Sequence, residues 1–179
     1  MPKMKTAALA VFAALALGSQ AQAQDMAPND AQIAKIVVTA NQVDIDAGKL
    51  ARSHADMKDV KAFAQLMIKD HTSVNKSAVD LVKKLKVTPE DSDTSQALQK
   101  GGDDNLANLK TLSGHDFDKA YIDHEVAYHE QVLDAMDKTL IPSAKNEELK
   151  ALLVKVRPAF EAHLEHAKHV QAELGGSGG

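Results

Sequence analysis

Apolar side chains recur along this chain at spacings of three and four residues, in four long runs separated by polar breaks. That period is the mark of amphipathic helices, because at about 100° per residue positions three, four and seven apart share a face. The first run extends from about Asp30 to His54, with Ile33, Ile36, Val37, Ala40, Val43, Ala47, Leu50 and Ala51 on its stripe, and Asn29 or Asp30 caps it beside Pro28. The second extends from about Lys58 to Lys86, where Val87-Thr88-Pro89 ends it, since Pro89 disfavours a helical Thr88. So few residues separate the two that they must form an antiparallel hairpin. The third extends from about Asp116 to Leu140 and stops near Ile141-Pro142. The fourth runs from about Asn146 to Leu174, and Pro158 inside it predicts a kink or a restart.

Residues 87–116 link the hairpins. Leu98, Leu106, Leu109 and Leu112 predict one or two short helices there, interrupted at Gly101-Gly102. Two hairpins joined by a long, partly helical crossover between the second and third helices is the connectivity of an all-α, ferritin-like four-helix bundle. No strand-period segment and no internal repeat competes with it.

The N-terminal 23 residues belong to a different pattern. MPKMK is a basic region, TAALAVFAALALG an apolar one, and Ala21-Gln22-Ala23 a cleavage site, which together predict an export signal removed after Ala23. The run is too short for a membrane span, no later segment approaches one, and the absence of cysteine excludes a lipoprotein anchor. The expectation is a periplasmic or secreted domain over residues 24–174, with Gly175-Gly176-Ser177-Gly178-Gly179 read as an appended linker. Without Lys3 and Lys5 the 21 basic residues fall to 19 against 25 acidic ones, a formal charge of −6. No basic patch interleaved with aromatics appears, which argues against nucleic acid as a partner. With no cysteine and no tryptophan, packing alone must hold the domain.

Candidate chemistry lies where polar residues interrupt the stripes. Asp44 falls on the first stripe with Val37, Ala40 and Ala47, and His54 extends that stripe by one turn. His71 lies between Met67 and Val74, flanked by Asp70. His129 completes the stripe of Ile122, Val126, Leu133 and Met136, with Glu125 four residues before it and His124 on the flank. His163 lies between Phe160 and Ala167, with His166 at the border and His169 further round. Asp44, His71, His129 and His163 each lie about 11–17 residues into their helices, roughly 16–26 Å at 1.5 Å per residue, so they should meet at mid-bundle. Three imidazoles and a carboxylate can bind a divalent transition metal such as Zn, Cu, Fe, Mn or Ni, with Asp70, Glu125 and His166 as orienting groups or extra ligands. A hydrogen-bonded network, such as His71 with Asp44, would also satisfy these groups without metal.

Phe63-Ala64, Met67 and Asp70-His71, then Phe117-Asp118 with Tyr121 and His129, then Pro158 with His163-Leu164 and Ala167 form a set of short motifs. In these the chain resembles a domain-of-unknown-function family of exported bacterial proteins, often labelled outer-membrane or membrane proteins and grouped with ferritin-like folds. The resemblance spans roughly residues 30–174 and implies the bundle, but no activity. Asp44 stands where the longer Glu is expected. Glu-x-x-His, the signature of di-iron carboxylate bundles, occurs nowhere, so a histidine-rich site with one metal fits better than a ferroxidase centre.

Three functions compete at this level. The first is periplasmic metal binding through the inward His and Asp residues. The second is a metal-independent interaction module of the bacterial envelope, stress-related or chaperone-like, with a protein partner. An enzyme using the Asp/His cluster for acid–base work comes last: the sequence defines no substrate pocket, no catalytic cysteine, no G-x-S-x-G turn and no phosphate-binding glycine loop.

Overall fold

The computed structural model describes residues 27–176. The proposed signal, its cleavage site and the final residues 177–179 lie outside them. All regular structure among the described residues is helical: α1 (Asp30–His54), α2 (Lys58–Leu85), α3 (Asp93–Leu109), α4 (Gly114–Ala135), a π-helical turn (Met136–Leu140), α5 (Ile141–Ser143) and α6 (Glu147–Gly176).

Local sequence explains most boundaries. Asn29 caps α1 in a capping box, its side chain accepting from the Gln32 amide while Gln32 accepts from Asn29 N. Ser92 and Ser95 build the equivalent box on α3. α2 stops where Lys86 adopts φ 54°, a left-handed C-terminal cap. Remote carboxylates tie down the starts of α2 and α6, and Asn146 Oδ1 also caps α6 by accepting from the amides of Glu148 and Leu149. Asp118, buried in α4, accepts from the backbone amides of Asp56 (3.1 Å) and Met57 (2.7 Å). Asp30 accepts from those of Lys145 (2.8 Å) and Asn146 (3.0 Å). Each hairpin turn is thereby tied to a helix of the other hairpin, which fixes how the two halves register.

α1 and α2 form one antiparallel hairpin, α4 and α6 the other, and α3 lies along α1. The expected break at Gly101-Gly102 does not occur, and α3 passes through both residues without interruption. Gly102 is there for contact: a Cβ at this position would come within 2.6 Å of Val43 Cγ2, so its bareness lets α3 approach α1. A Cβ on Gly101 would meet nothing within 4 Å. Chemical denaturation should therefore separate two neighbouring glycines. Gly102→Ala is expected to destabilise by about 1–3 kcal/mol through overpacking. Gly101→Ala should stabilise by about 0.5–1 kcal/mol through helix propensity. Equal effects would mean that Gly102 makes no close contact.

The helix does not restart at Pro158, and α6 runs through it as one helix. Pro158 sits on the exposed side, where Val154, whose carbonyl loses its partner, is 53% exposed. Water can then take the freed acceptor, so the proline is tolerated.

The core divides into two apolar clusters. One gathers Phe63, Met67, Leu109, Phe117, Tyr121 and Ile122; the other gathers Ile33, Met136, Leu140, Leu149, Leu153 and Phe160. Along α1, α2 and α4, Asp44, His71, Glu125 and His129 fall between the stretches that feed these two clusters, and on α6 His163 sits beside Phe160 and Leu164 of the second, one turn before Ala167 of the first.

Candidate metal centre

Asp44, His71, His129 and His163 are all buried, 1–3% exposed, and Glu125 is fully so. The three imidazole rings pack around one point, with centroids 5.3–5.7 Å apart, and Phe160 stacks on the His71 ring at 5.1 Å.

The hydrogen bonds fix each tautomer. Asn41 donates its side-chain amide to the Val37 carbonyl (2.7 Å), which leaves its Oδ1 as an acceptor for His71 Nδ1–H at 2.7 Å. His129 Nδ1–H donates to the Glu125 carbonyl at 2.9 Å. His163 Nε2–H faces the Asp70 carboxylate at 3.1 Å. Each ring therefore turns its bare nitrogen inward: His71 Nε2, His129 Nε2 and His163 Nδ1, none of which has a hydrogen-bond partner. Buried acceptors without donors are costly, and three on facing rings cannot satisfy one another.

The three rings offer ligand atoms within 4.8 Å of one another. Tetrahedral coordination at about 2.0–2.1 Å sets nitrogens about 3.4 Å apart. Closure by about 1.4 Å at most would suffice, within reach of ring rotations. Burial pushes His71 well below the usual histidine range, helped by its two histidine neighbours, and takes His129 down to about 4. Burial lowers His163 as well, against the opposing pull of Asp70. Neutral imidazole is the form that binds metal.

Beside the rings sits a pair of acids. Asp44 Oδ2 is 3.4 Å from His71 Nδ1, and Glu125 Oε2 is 3.5 Å from His129 Nδ1. Burial, together with the Glu125 charge, raises Asp44 well above the carboxylate range, and burial raises Glu125 to about 8. Neither Glu125 oxygen nor the Tyr121 hydroxyl has a hydrogen-bond partner. Burial and the nearby acids push the Tyr121 phenol upward too. Asp44, Glu125 and His129 form a second metal-competent trio, also within 4.8 Å. Two buried carboxyls that hold their protons more tightly than free acids are ready counter-charges for a cation, whose field would draw those protons off.

The remaining sequence candidates fall elsewhere. Asp70 is partly exposed and touches the site only through His163. His166 joins neither trio and packs its ring edge-on against Phe63 at 5.2 Å. His54, expected on the inward stripe, is exposed and stacks on Phe117, because the last turn of α1 lies at the bundle rim. Asn41, 2% exposed and orienting His71, is not among the residues the sequence singled out. Its signal was available, since Asn41 lies four residues after Val37 and three before Asp44. Tyr128, whose hydroxyl donates to the Ala40 carbonyl at 3.1 Å, was also passed over.

The family described as Domain of unknown function (DUF4142) matches residues 15–170. The chain belongs to the DUF4142 family. The motif resemblance to an exported family of unknown function is thereby borne out. Two solved structures share the DUF4142 chain's fold. One is a Streptomyces coelicolor protein described as secreted and assigned to DUF305, 14% identical, with a TM-score of 0.66 over 80% of this chain and 92% of that one. The other is CopM in the Cu(II)-bound form, 16% identical, with a TM-score of 0.65 over 83% of this chain and 99% of that one. At such identities the likeness is one of fold. No protein of curated function matches the chain. Among the described residues no helix is long and apolar enough to cross a membrane.

Proposed function

We propose that this DUF4142 protein is an exported metal-binding protein that holds one divalent transition-metal ion, copper(II) foremost, between His71, His129 and His163. The observation that carries this reading is the convergence of three unpartnered imidazole nitrogens, each on a ring whose other nitrogen is anchored. Such anchoring fixes the tautomer and aims the lone pair, as around metal-bound histidines generally. Asp44 and Glu125 supply negative charge when the ion enters, and one of them can complete the coordination shell. Copper(II) leads because imidazole-rich sites favour it in the affinity order of divalent ions, and because CopM, of the same fold, binds Cu(II). The N-terminal export pattern and the neighbour described as secreted support location outside the cytoplasm.

The test is elemental analysis of the mature, untagged protein after loading with Cu(II) or Zn(II) and dialysis, paired with thermal melts. One retained equivalent is expected. An ion present at about 1,000 times its Kd should add about 4 kcal/mol of stability, reversed by chelator. Protein that keeps no ion and melts alike with and without it would sink the reading and favour the metal-independent interaction module.

A further inference from the structure

A cavity of about 290 Å³ enters the bundle between α1, α3, α4 and α6 and ends on the candidate centre. Its outer rim carries exposed, uncharged polar residues, Thr94, Gln131 and Thr139. Its walls are apolar, with Ile36, Leu98, Val132, Met136, Leu153 and Phe160 among them. Its floor is polar and buried, formed by Asn41, Asp44 and His71 with Tyr128 beside them. Close-packed interiors rarely leave such space. The π-helical turn contributes Met136, Thr139 and Leu140 to the wall, and π-turns interrupt α-helices most often at functional sites.

A polar rim, an apolar barrel and a few polar groups at the inner end make up the usual anatomy of a small-molecule site. We propose that this cavity binds a small apolar molecule carrying a hydrogen-bond-donating head, an amine or a hydroxyl, with the head placed against Asp44. The floor selects the head. Asn41 and His71 Nδ1 are already engaged with each other, and the Tyr128 proton is given to Ala40. The Asp44 carboxyl keeps an acceptor oxygen in either protonation state, and the Tyr128 oxygen keeps another. An anionic head would lose its water in an apolar barrel that no lysine or arginine lines.

The experiment uses metal-free protein in EDTA, so it reads the cavity apart from the ion site. N-phenyl-1-naphthylamine serves as fluorescent probe, with 1-octylamine, 1-octanol and octanoate as competitors. Saturable 1:1 binding is expected, displaced by the amine and the alcohol and poorly by octanoate. Ala135→Phe and Ala40→Leu narrow the cavity from opposite walls, and whichever folds should weaken the probe by about tenfold or more. His169→Ala, on the exposed side of α6 and away from the cavity lining, should leave probe binding unchanged, and Asp44→Asn should weaken octylamine more than octanol. Absence of saturable binding, binding unaltered in folded narrowed variants, or octanoate competing as well as octylamine would each overturn the proposal.

Discussion

His129→Ala is expected to remove metal binding while the protein stays helical. His129 is the residue common to both metal-competent trios, so its loss leaves neither complete. Replacing a residue that merely orients a ligand typically costs 10–100-fold in affinity, and loss of a ligand should exceed about 100-fold. Titration with Cu(II) against a competing chelator reads this directly, and far-UV circular dichroism checks the fold. Two companions sharpen the result. Asn41→Ala removes the acceptor that sets the His71 tautomer and should cost about 10–100-fold. His166→Ala, whose ring lies against Phe63 outside both trios, should change nothing. Undiminished stoichiometric binding by His129→Ala would place the ion elsewhere.

The second large effect is on pH. In metal-free protein the buried imidazoles resist protonation, whereas in the unfolded chain they titrate near 6.5. As pH falls below 6.5 the unfolded state therefore binds more protons than the native one, and stability is lost. His129 alone, lowered to about 4, accounts for about 3 kcal/mol at 1.36 kcal/mol per unit. The acids act in the other direction. Glu125 keeps its proton up to about 8 in the fold but loses it near 4.5 when unfolded, so its contribution is whole below 4.5 and fades as pH rises. Asp44 follows the same sign. Below 6.5 three imidazoles oppose two acids; above 6.5 only the acids change. Stability should therefore peak near pH 6.5 and fall towards pH 8 as the raised acids ionise. Bound metal should flatten the alkaline limb, because ionised carboxylates beside a dication are satisfied, and should steepen the acid limb, because protons then compete for its ligands. Denaturation at pH 4.5, 6.5 and 8, with and without metal, measures both. A flat metal-free profile from 6.5 to 8 would mean the acid pair is already ionised in the native state.

The sequence by itself determined the helices and the faces they bury. A period of 3.6 fixes which residues share a side, so Asp44, His71, His129 and His163 could be assigned inward before any packing was known, and all four are buried. The hairpin pairing followed from the shortness of the turns, which leave no other partner within reach. What periodicity cannot contain is the distance between helices. Gly101 and Gly102 are identical as residues, and only the approach of Val43 separates a free position from a contact. Pro158 breaks a helix by rule, yet its exposed placement lets water take the freed carbonyl. His54 continued a stripe that had run past its partners. The tautomers needed Asn41, the Glu125 carbonyl and Asp70, which reach the rings from other turns or other helices. The raised proton affinity of Asp44 and Glu125, and the cavity that ends on Asp44, exist only once four helices have closed and excluded water. Direction within one helix is local geometry, whereas burial, charge state and open space are properties of the assembled bundle.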